Sequence, residues 1–308
     1  MAYSATSLTA AETAGFNADK PMMVTQSAGT PNDAHWTLVG THTSTDVTAA
    51  DGPATRAYDS VGSLVTKTNT ASAATTTKYY NFYFSTAISF DTLIVLGHNL
   101  NTIEATDVKL QLSNNDTFSS GVINPYESGS LSGDDDRLIC TNLNSEDSGS
   151  YDASGTAQRY RNVEWCRLVI THSGSKTPQI GEIILGTRHQ LQRNPDIPWN
   201  NKDEYSETTD FKALTGLVKR YVAYRGQALR RFRASISSSD EIAVVDSWFN
   251  AINEGTKPFV YIETPSSGAD ARLMILDDTA LRFPLVGPFE RVLEFNMTEQ
   301  PPYLSVES

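Results

Sequence analysis

Residues 237–255 read S-S-S-D-E-I-A-V-V-D-S-W-F-N-A-I-N-E-G, and they form the clearest helix signal in a chain otherwise made of strands and turns. Ser238 and Glu241 have capping-box spacing, in which a hydroxyl and a carboxylate three residues apart satisfy orphan amides. Ile242, Val245, Trp248, Phe249 and Ile252 then fall on one face at helical spacing. Gly255 stands just past the end, where a left-handed residue stops a helix at little cost. A lone helix with one apolar face must cover a sheet, so the flanking strands are expected to supply one, with Trp248 and Phe249 buried against it.

Working outward, residues 216–301 read as strands on both sides of that helix. Residues 217–224 and 228–236 flank Arg225-Gly226, which reads as a hairpin turn. After the helix come P-F-V-Y-I-E (258–263), A-R-L-M-I-L (271–276) and one or two strands within 283–297. Leu293 and Phe295 share one face of the last strand, and Val292 and Glu294 the other. Before this unit, residues 188–205 (R-H-Q-L-Q-R-N-P-D-I-P-W-N-N-K-D-E-Y) have two prolines and no apolar period, the mark of a linker.

The first half reads as short strands separated by turn-rich spacers. Residues 35–39 and 57–66 are early strand candidates. K-Y-Y-N-F-Y-F (78–84) puts Tyr80, Phe82 and Phe84 on one face and Tyr79 and Tyr83 on the other. D-T-L-I-V-L (91–96) suits a buried strand closed by Gly97, and D-V-K-L-Q-L (107–112) alternates strictly. A polar turn over 114–120, long Gly/Ser/Asp loops over 127–136 and 142–155, then V-E-W-C-R-L-V-I-T (163–171) and I-G-E-I-I-L (180–185) complete the set. Residues 1–30, rich in Ala, Thr and Ser, read as an extended or poorly packed lead-in that orders against a neighbour.

The succession F-D-T-L-I-V-L-G-H-N-L (90–100), V-K-L-Q-L-S-N-N-D-T-F, W-C-R-L-V-I-T and Q-I-G-E-I-I-L-G (179–186) resembles discoidin-like β-sandwiches. These occur in carbohydrate-binding proteins and in tailed-phage virion proteins. The order strand, strand, helix, strand, strand, strand, with G-T-K-P-F-V-Y after the helix, resembles the tail-tube-like fold of phage tail tube and distal tail proteins. The expected fold class is therefore mainly β: a discoidin-like β-sandwich or jelly roll, then a tail-tube-like β-sandwich carrying one α-helix. The expected divisions are an N-terminal arm (1–34), the sandwich (35–187), a linker (188–206) and the tail-tube-like unit (207–308).

Formal charge is −12, and an acidic chain makes a poor general nucleic-acid binder because phosphate contacts need clustered Lys and Arg. No apolar run reaches the length of a membrane span. Residues 1–20 lack the basic start and apolar core of a secretory signal, so the expected site of synthesis is a cytoplasm. Cys140 and Cys166 read as separate reduced thiols, though pairing stays open. No nucleophile elbow, phosphate loop, zinc-protease motif or dinucleotide fingerprint is present, so no catalytic residues are expected. The five histidines lack partners at ligand spacing; His98, at a strand end, reads as a loop-bonding residue.

Four features remain as candidates. Asp134, Asp135 and Asp136 read either as a solvated acidic loop or as calcium ligands, the one cofactor left open. Tyr79 and Tyr83 read either as ordinary sheet surface or as a platform for stacking a glycan. Lys219, Arg220, Arg225, Arg230, Arg231 and Arg233 form the one basic cluster; subunit pairing, a channel lining and plain solvation are its readings, and pairing is preferred. Trp199 could anchor an interface from the linker.

The resemblance implies a non-enzymatic structural protein of a tailed-phage virion, assembled in the host cytoplasm. Its place would be a distal tail or baseplate ring, hexameric in the resembling proteins' manner, with tail tube, baseplate hub or other tail-tip proteins as partners. A host-attachment protein binding a surface glycan, and a head or neck decoration protein, are the alternatives.

Overall fold

The computed structural model describes residues 2, 4–7, 20–27, 36–38, 66–67, 76–101, 105–128, 137–140, 143, 158–172, 178–191, 194, 202–203, 208–212, 218–222, 228–236, 238–263, 271–277 and 291–300. The chain is mainly β, built of antiparallel sheets, with one helix among the described residues.

The first sheet contains β1 (Ser4–Ser7), β3 (Trp36–Leu38), β5 (Thr76–Phe90), β7 (Ala105–Ser113), β8 (Ile123–Glu127) and β10 (Gln158–His172). Its order is β3-β5-β10-β7-β8, and β1 pairs with the start of β10. The alternation read from 78–84 holds: Tyr80, Phe82 and Phe84 are fully buried and meet Leu110, Leu112, Cys166, Leu168 and Ile170 in the sandwich core. The opposing sheet supplies Leu93 and Val95 from β6 (Thr92–Leu96) and Ile183 and Leu185 from β12 (Glu182–Gln190).

That opposing sheet does not stop at the sandwich. Nine strands run β13-β16-β19-β18-β17-β2-β12-β6-β9, where β2 is Met22–Gln26, β9 Arg137–Cys140, β13 Lys202–Asp203, β16 Ala228–Ile236, β17 Phe259–Ile262, β18 Arg272–Leu276 and β19 Arg291–Glu299. Strand β2 pairs with β12 on one side (Val24 opposite Arg188) and with β17 on the other (Val24 opposite Val260). The N-terminal segment read as a loose lead-in is thus, over residues 22–26, the buried seam between the two halves. Met22 and Val24 join Ile94, Ile184, Val260 and Leu273 in a cluster on one face, and Met23 points into the other. Apolar side chains at both parities, in Met22, Met23 and Val24, suit a strand buried on both faces.

Helix α1 (Ser239–Ala251) covers the second half of this sheet. Ser238 caps it by accepting from the Glu241 amide at 3.2 Å. Trp248, fully buried, meets Phe259 edge-on at 5.1 Å and Phe295 at 5.0 Å. Phe249 lies at the margin and is only partly buried. The helix ends earlier than Gly255: Asn253, Glu254 and Gly255 all take positive φ (50°, 56° and 87°). The Glu254 amide donates to the Phe249 carbonyl at 3.0 Å, satisfying an end group of the helix.

Two other readings are corrected. Strand β15 (Val218–Val222) does not form a hairpin with β16; it pairs with β14 (Thr208–Lys212) in a separate two-stranded sheet. Both edges of β16 are taken, by β13 and by β19. The linker begins too early at residue 188, because β12 continues through Arg188, His189 and Gln190, all buried. Early strand residues 57–65 and the start of the last strand (283–290) lie outside the described residues; two residues of β4 (Thr66–Lys67) pair with β11 (Gln179–Ile180).

Gly186 is where the seam closes tightly. A Cβ added there would lie 2.5 Å from the Thr25 carbonyl oxygen and 2.7 Å from Val24 Cγ1. Gly186→Ala therefore forces β2 away from β12 and is expected to cost about 1–3 kcal/mol in urea unfolding; unchanged stability would show that β2 is not seated there. Trp248→Ala is expected to cost about 3–5 kcal/mol through the cavity left between helix and sheet, and a near-neutral result would displace the helix from that face.

Candidate functional site

The outward face of the six-stranded sheet gathers side chains that lie far apart in sequence. Register places Tyr83 beside Trp165, Asn81 beside Arg167 and Tyr79 beside Val169 on β5 and β10. On the other side of β10, Gln111 of β7 stands opposite Arg167. The same alternation that buries Tyr80 and Phe82 turns Tyr79, Asn81 and Tyr83 outward. Tyr83 and Trp165 are in ring contact at 4.6 Å with their planes tilted by 36°, and both remain half-buried.

Arg167 is the centre of the array. Its guanidinium carbon lies 4.8 Å from the centre of the Tyr79 ring and 4.3 Å from that of Phe118. Its Nε donates to Gln111 Oε1 at 2.7 Å, and Gln111 Nε2 donates onward to Asn124 Oδ1 at 2.8 Å. Two ring faces attract the cation through their quadrupoles. Burial draws the guanidinium below its ordinary value, with Tyr79 acting the other way. The neighbouring cation on this face, Lys109, is by contrast paired with Glu127 and with Asp107 (2.9 Å), which raise it above its ordinary value.

Phe118 reaches Arg167 because the turn at 114–120 is wound around Asn115. The Asn115 side-chain oxygen accepts from Thr117 Oγ1 at 2.8 Å, its amide nitrogen donates to Ser120 Oγ at 3.1 Å, and its backbone amide donates to Ser113 Oγ at 3.1 Å. Phe118 itself sits at φ 50°, uncommon for a bulky residue, and is buried over the guanidinium. Beneath the stack, Asn81 is 4% exposed and its carbonyl oxygen accepts no hydrogen bond.

Of the sequence candidates, Tyr79 and Tyr83 are brought to this face together. Trp165 and Arg167 join them; the parity of residues 166–170, with Cys166, Leu168 and Ile170 inward, was the available signal. Phe118 had no sequence signal, since its position depends on a left-handed turn. The basic cluster separates. Arg230 is buried and lies 3.7 Å from Glu263, so it faces its own chain rather than a neighbour. Arg231 is exposed and pairs with Glu294, and Arg233 is exposed with Glu294 as its cross-strand neighbour. Arg225, Trp199, Asp134, Asp135 and Asp136 lie outside the described residues. Among the described residues no three His, Cys, Asp or Glu side chains gather as a metal site. Cys166 is a buried free thiol, pushed up by desolvation. His98 Nδ1 accepts from the Leu100 amide at 3.3 Å, the loop bond expected of it.

A second polar locus lies at the seam. Asp91, 1% exposed, occupies the corner where β5 passes into β6 and so from one sheet to the other. Its carboxylate accepts from Arg159 Nη2 (2.8 Å), Thr92 Oγ1 (2.8 Å) and the Arg188 amide (3.2 Å), while its own amide donates to the Gly186 carbonyl at 3.0 Å. Next to this pair, His189 Nε2 lies 3.0 Å from Thr25 Oγ1. A cleft of about 540 Å³ opens here, lined by Thr25, Gln26, Ser27, Thr187, His189 and Lys257 among others.

Burial lowers His189 to about 4, Asp91 pulling it up and Arg159 down. The unfolded chain titrates this imidazole near its ordinary 6.5. Below that value the unfolded state binds a proton that the folded state refuses, so stability present above pH 6.5 is lost as pH falls toward 4. The loss is about 3 kcal/mol for a single site. His189→Gln is expected to flatten the difference in unfolding free energy between pH 7 and pH 4.5 relative to the parent chain; parallel curves would place the imidazole in solvent.

No protein-family model matches the chain, and no curated protein matches it. Among solved structures, the chain is similar to a CBM32 module from a family 31 glycoside hydrolase of Clostridium perfringens. The identity is 13%, the match covers 49% of this chain and 90% of that one, and the TM-score is 0.29.

Proposed function

We propose that the chain is a non-catalytic structural protein of a tailed-phage virion, a distal tail or baseplate component that assembles as a ring. The observation that supports this reading is the order β16, α1, β17, β18, β19, in which one helix covers a sheet joined edge-on to a β-sandwich. From its second strand on, this is the order on which the resemblance to tail-tube-like proteins rests; the first strand, β15, pairs with β14 instead. A ring needs each copy to hold its neighbours at a fixed angle, and a sheet shared by both halves holds the sandwich rigidly to the ring-forming unit. Among the described residues, β13 and β9 are the outermost strands of the nine-stranded sheet, edges at which another copy can add.

The second reading is a glycan-binding attachment role, carried by the outward face bearing Tyr79, Tyr83, Trp165 and Arg167. The two roles are compatible in one chain, since a ring component can present the sandwich outward to a host surface.

Sedimentation of the purified chain across a concentration series, with negative-stain microscopy, tests the ring. Closed rings of uniform size are expected. A monodisperse monomer at the highest concentration would overturn it.

A further inference from the structure

Arg167 stands apart from the other described cations for which the surroundings are known. Arg159 has Asp91, Arg231 has Glu294, Arg272 has Glu299 at 2.9 Å, and Lys109 has two carboxylates. Arg167 is held by two aromatic rings and one amide oxygen, with no carboxylate pairing it among the described residues. Aromatic faces and a neutral amide fix a guanidinium in place without neutralising it. The fork is thereby pre-organised, and its Nη donors have no protein acceptor among the described residues. Such a group binds planar oxyanions bidentately, and little side-chain entropy is left to lose.

What surrounds the fork selects among oxyanions. Tyr83 and Trp165 lie two residues along their strands from Asn81 and Arg167, about 7 Å away. That is roughly the span from the carboxylate of an acidic sugar to the far side of the pyranose ring next to it. The two rings offer apolar faces to the sugar's C–H face, and Gln111, Asn124 and the tyrosine hydroxyls offer partners to its hydroxyls. A glutamate side chain presents the carboxylate alone and leaves the ring pair uncovered. A phosphate or sulfate ion can also engage the fork bidentately, but, like the glutamate side chain, it leaves the ring pair uncovered.

We infer that the outward sheet face is a binding site for a carboxylated saccharide, with Arg167 gripping the carboxylate and the Tyr83–Trp165 pair stacking on an adjacent pyranose. This rests on the glycan-binding reading and adds the charge class of the ligand. The chain's net charge of −12 opposes approach of a polyanion at long range. Moderate salt screens that repulsion beyond about 10 Å, so the affinity is expected to depend weakly on ionic strength instead of collapsing as it does for a polybasic surface.

The test is calorimetric titration of the full chain with short oligogalacturonides, their methyl esters, neutral galacto-oligosaccharides of equal length, and a glutamate-rich peptide. The free acids are expected to bind about tenfold or more tightly than esters and neutral sugars. Arg167→Gln is expected to remove that preference, Arg167→Lys to restore part of it, and Trp165→Ala to weaken acids and neutral sugars alike. Circular dichroism identifies any variant that fails to fold, and the comparison of acid with ester on the unaltered chain needs no variant at all. Equal binding of acid, ester and neutral sugar would overturn the inference and leave the glycan reading standing. Binding of no saccharide would overturn both. Binding of the peptide alone would overturn both and make the face a docking surface for an acidic protein.

Discussion

The structure depends on one strand being threaded between two others. Met22–Gln26 is hydrogen-bonded to β12 on one side and β17 on the other, and without it the nine-stranded sheet falls into two. The partners are far away in the chain: the Ser27 amide donates to the Leu185 carbonyl at 2.9 Å, across more than half its length. Closing such a loop costs entropy before any contact repays it, so a seam of this kind forms late and makes folding slow. It also makes the halves mechanically one. A hinge between domains normally runs through a solvated linker. Here residues 188–190 begin what reads as a linker and are in fact strand, buried against β2.

The seam explains the polar cluster beside it. The chain must turn from the first sheet into the second at residue 91, and the turn buries backbone groups that need partners. Asp91 supplies acceptors on both sides of the corner, to Arg159 of one sheet and to the Arg188 amide of the other. Burying such a pair gains little net stability over an apolar pair of the same shape. Its effect is geometric. The register of β12 is set by the Arg188 amide and by the Gly186 carbonyl, and it is opposite Gly186 and Arg188 that β2 runs. His189, held neutral beside the same corner, belongs to this arrangement and lines the cleft at the seam.

The parts of the fold legible in the sequence are those decided locally. The helix was legible because its cap, its apolar face and its terminating region all lie within one short stretch; only the stop was misjudged, since Asn253 and Glu254 take left-handed backbone before Gly255 does. The inward face of β5 was legible because alternation is a property of one strand. What failed was pairing. Residues 217–236 look like a hairpin, and nothing local says that β13 and β19 already occupy both edges of β16. Arg188, His189 and Gln190 look like solvent-facing linker, because the groups that satisfy them, Asp91, Thr25 and the Lys20 carbonyl among them, are 90 residues or more away in the chain. The candidate site divides in the same way: Tyr79 and Tyr83 could be placed on one face from their own strand, whereas Arg167 acquires its meaning from Phe118 and Gln111, which only the sheet brings to it.

That division bears on why the face reads as a site. A solvated arginine on a sheet surface would be free to fold toward any carboxylate, and this chain has 36 acidic residues against 24 basic ones. Arg167 instead faces two rings and an amide, under a turn whose Phe118 holds a left-handed backbone angle. Strain in that turn and partial desolvation of the guanidinium both cost free energy, and the cation–π contacts return only about 0.5–2 kcal/mol each. A leucine at residue 167 would fill the space between Tyr79 and Phe118 with no charge to desolvate. The arrangement is therefore not the cheapest way to pack this surface, and what it yields is a guanidinium held by two rings and an amide beside the tilted Tyr83–Trp165 pair. The seam, with β2 paired to β12 and to β17, then sets the direction in which that guanidinium points relative to the helix-bearing half.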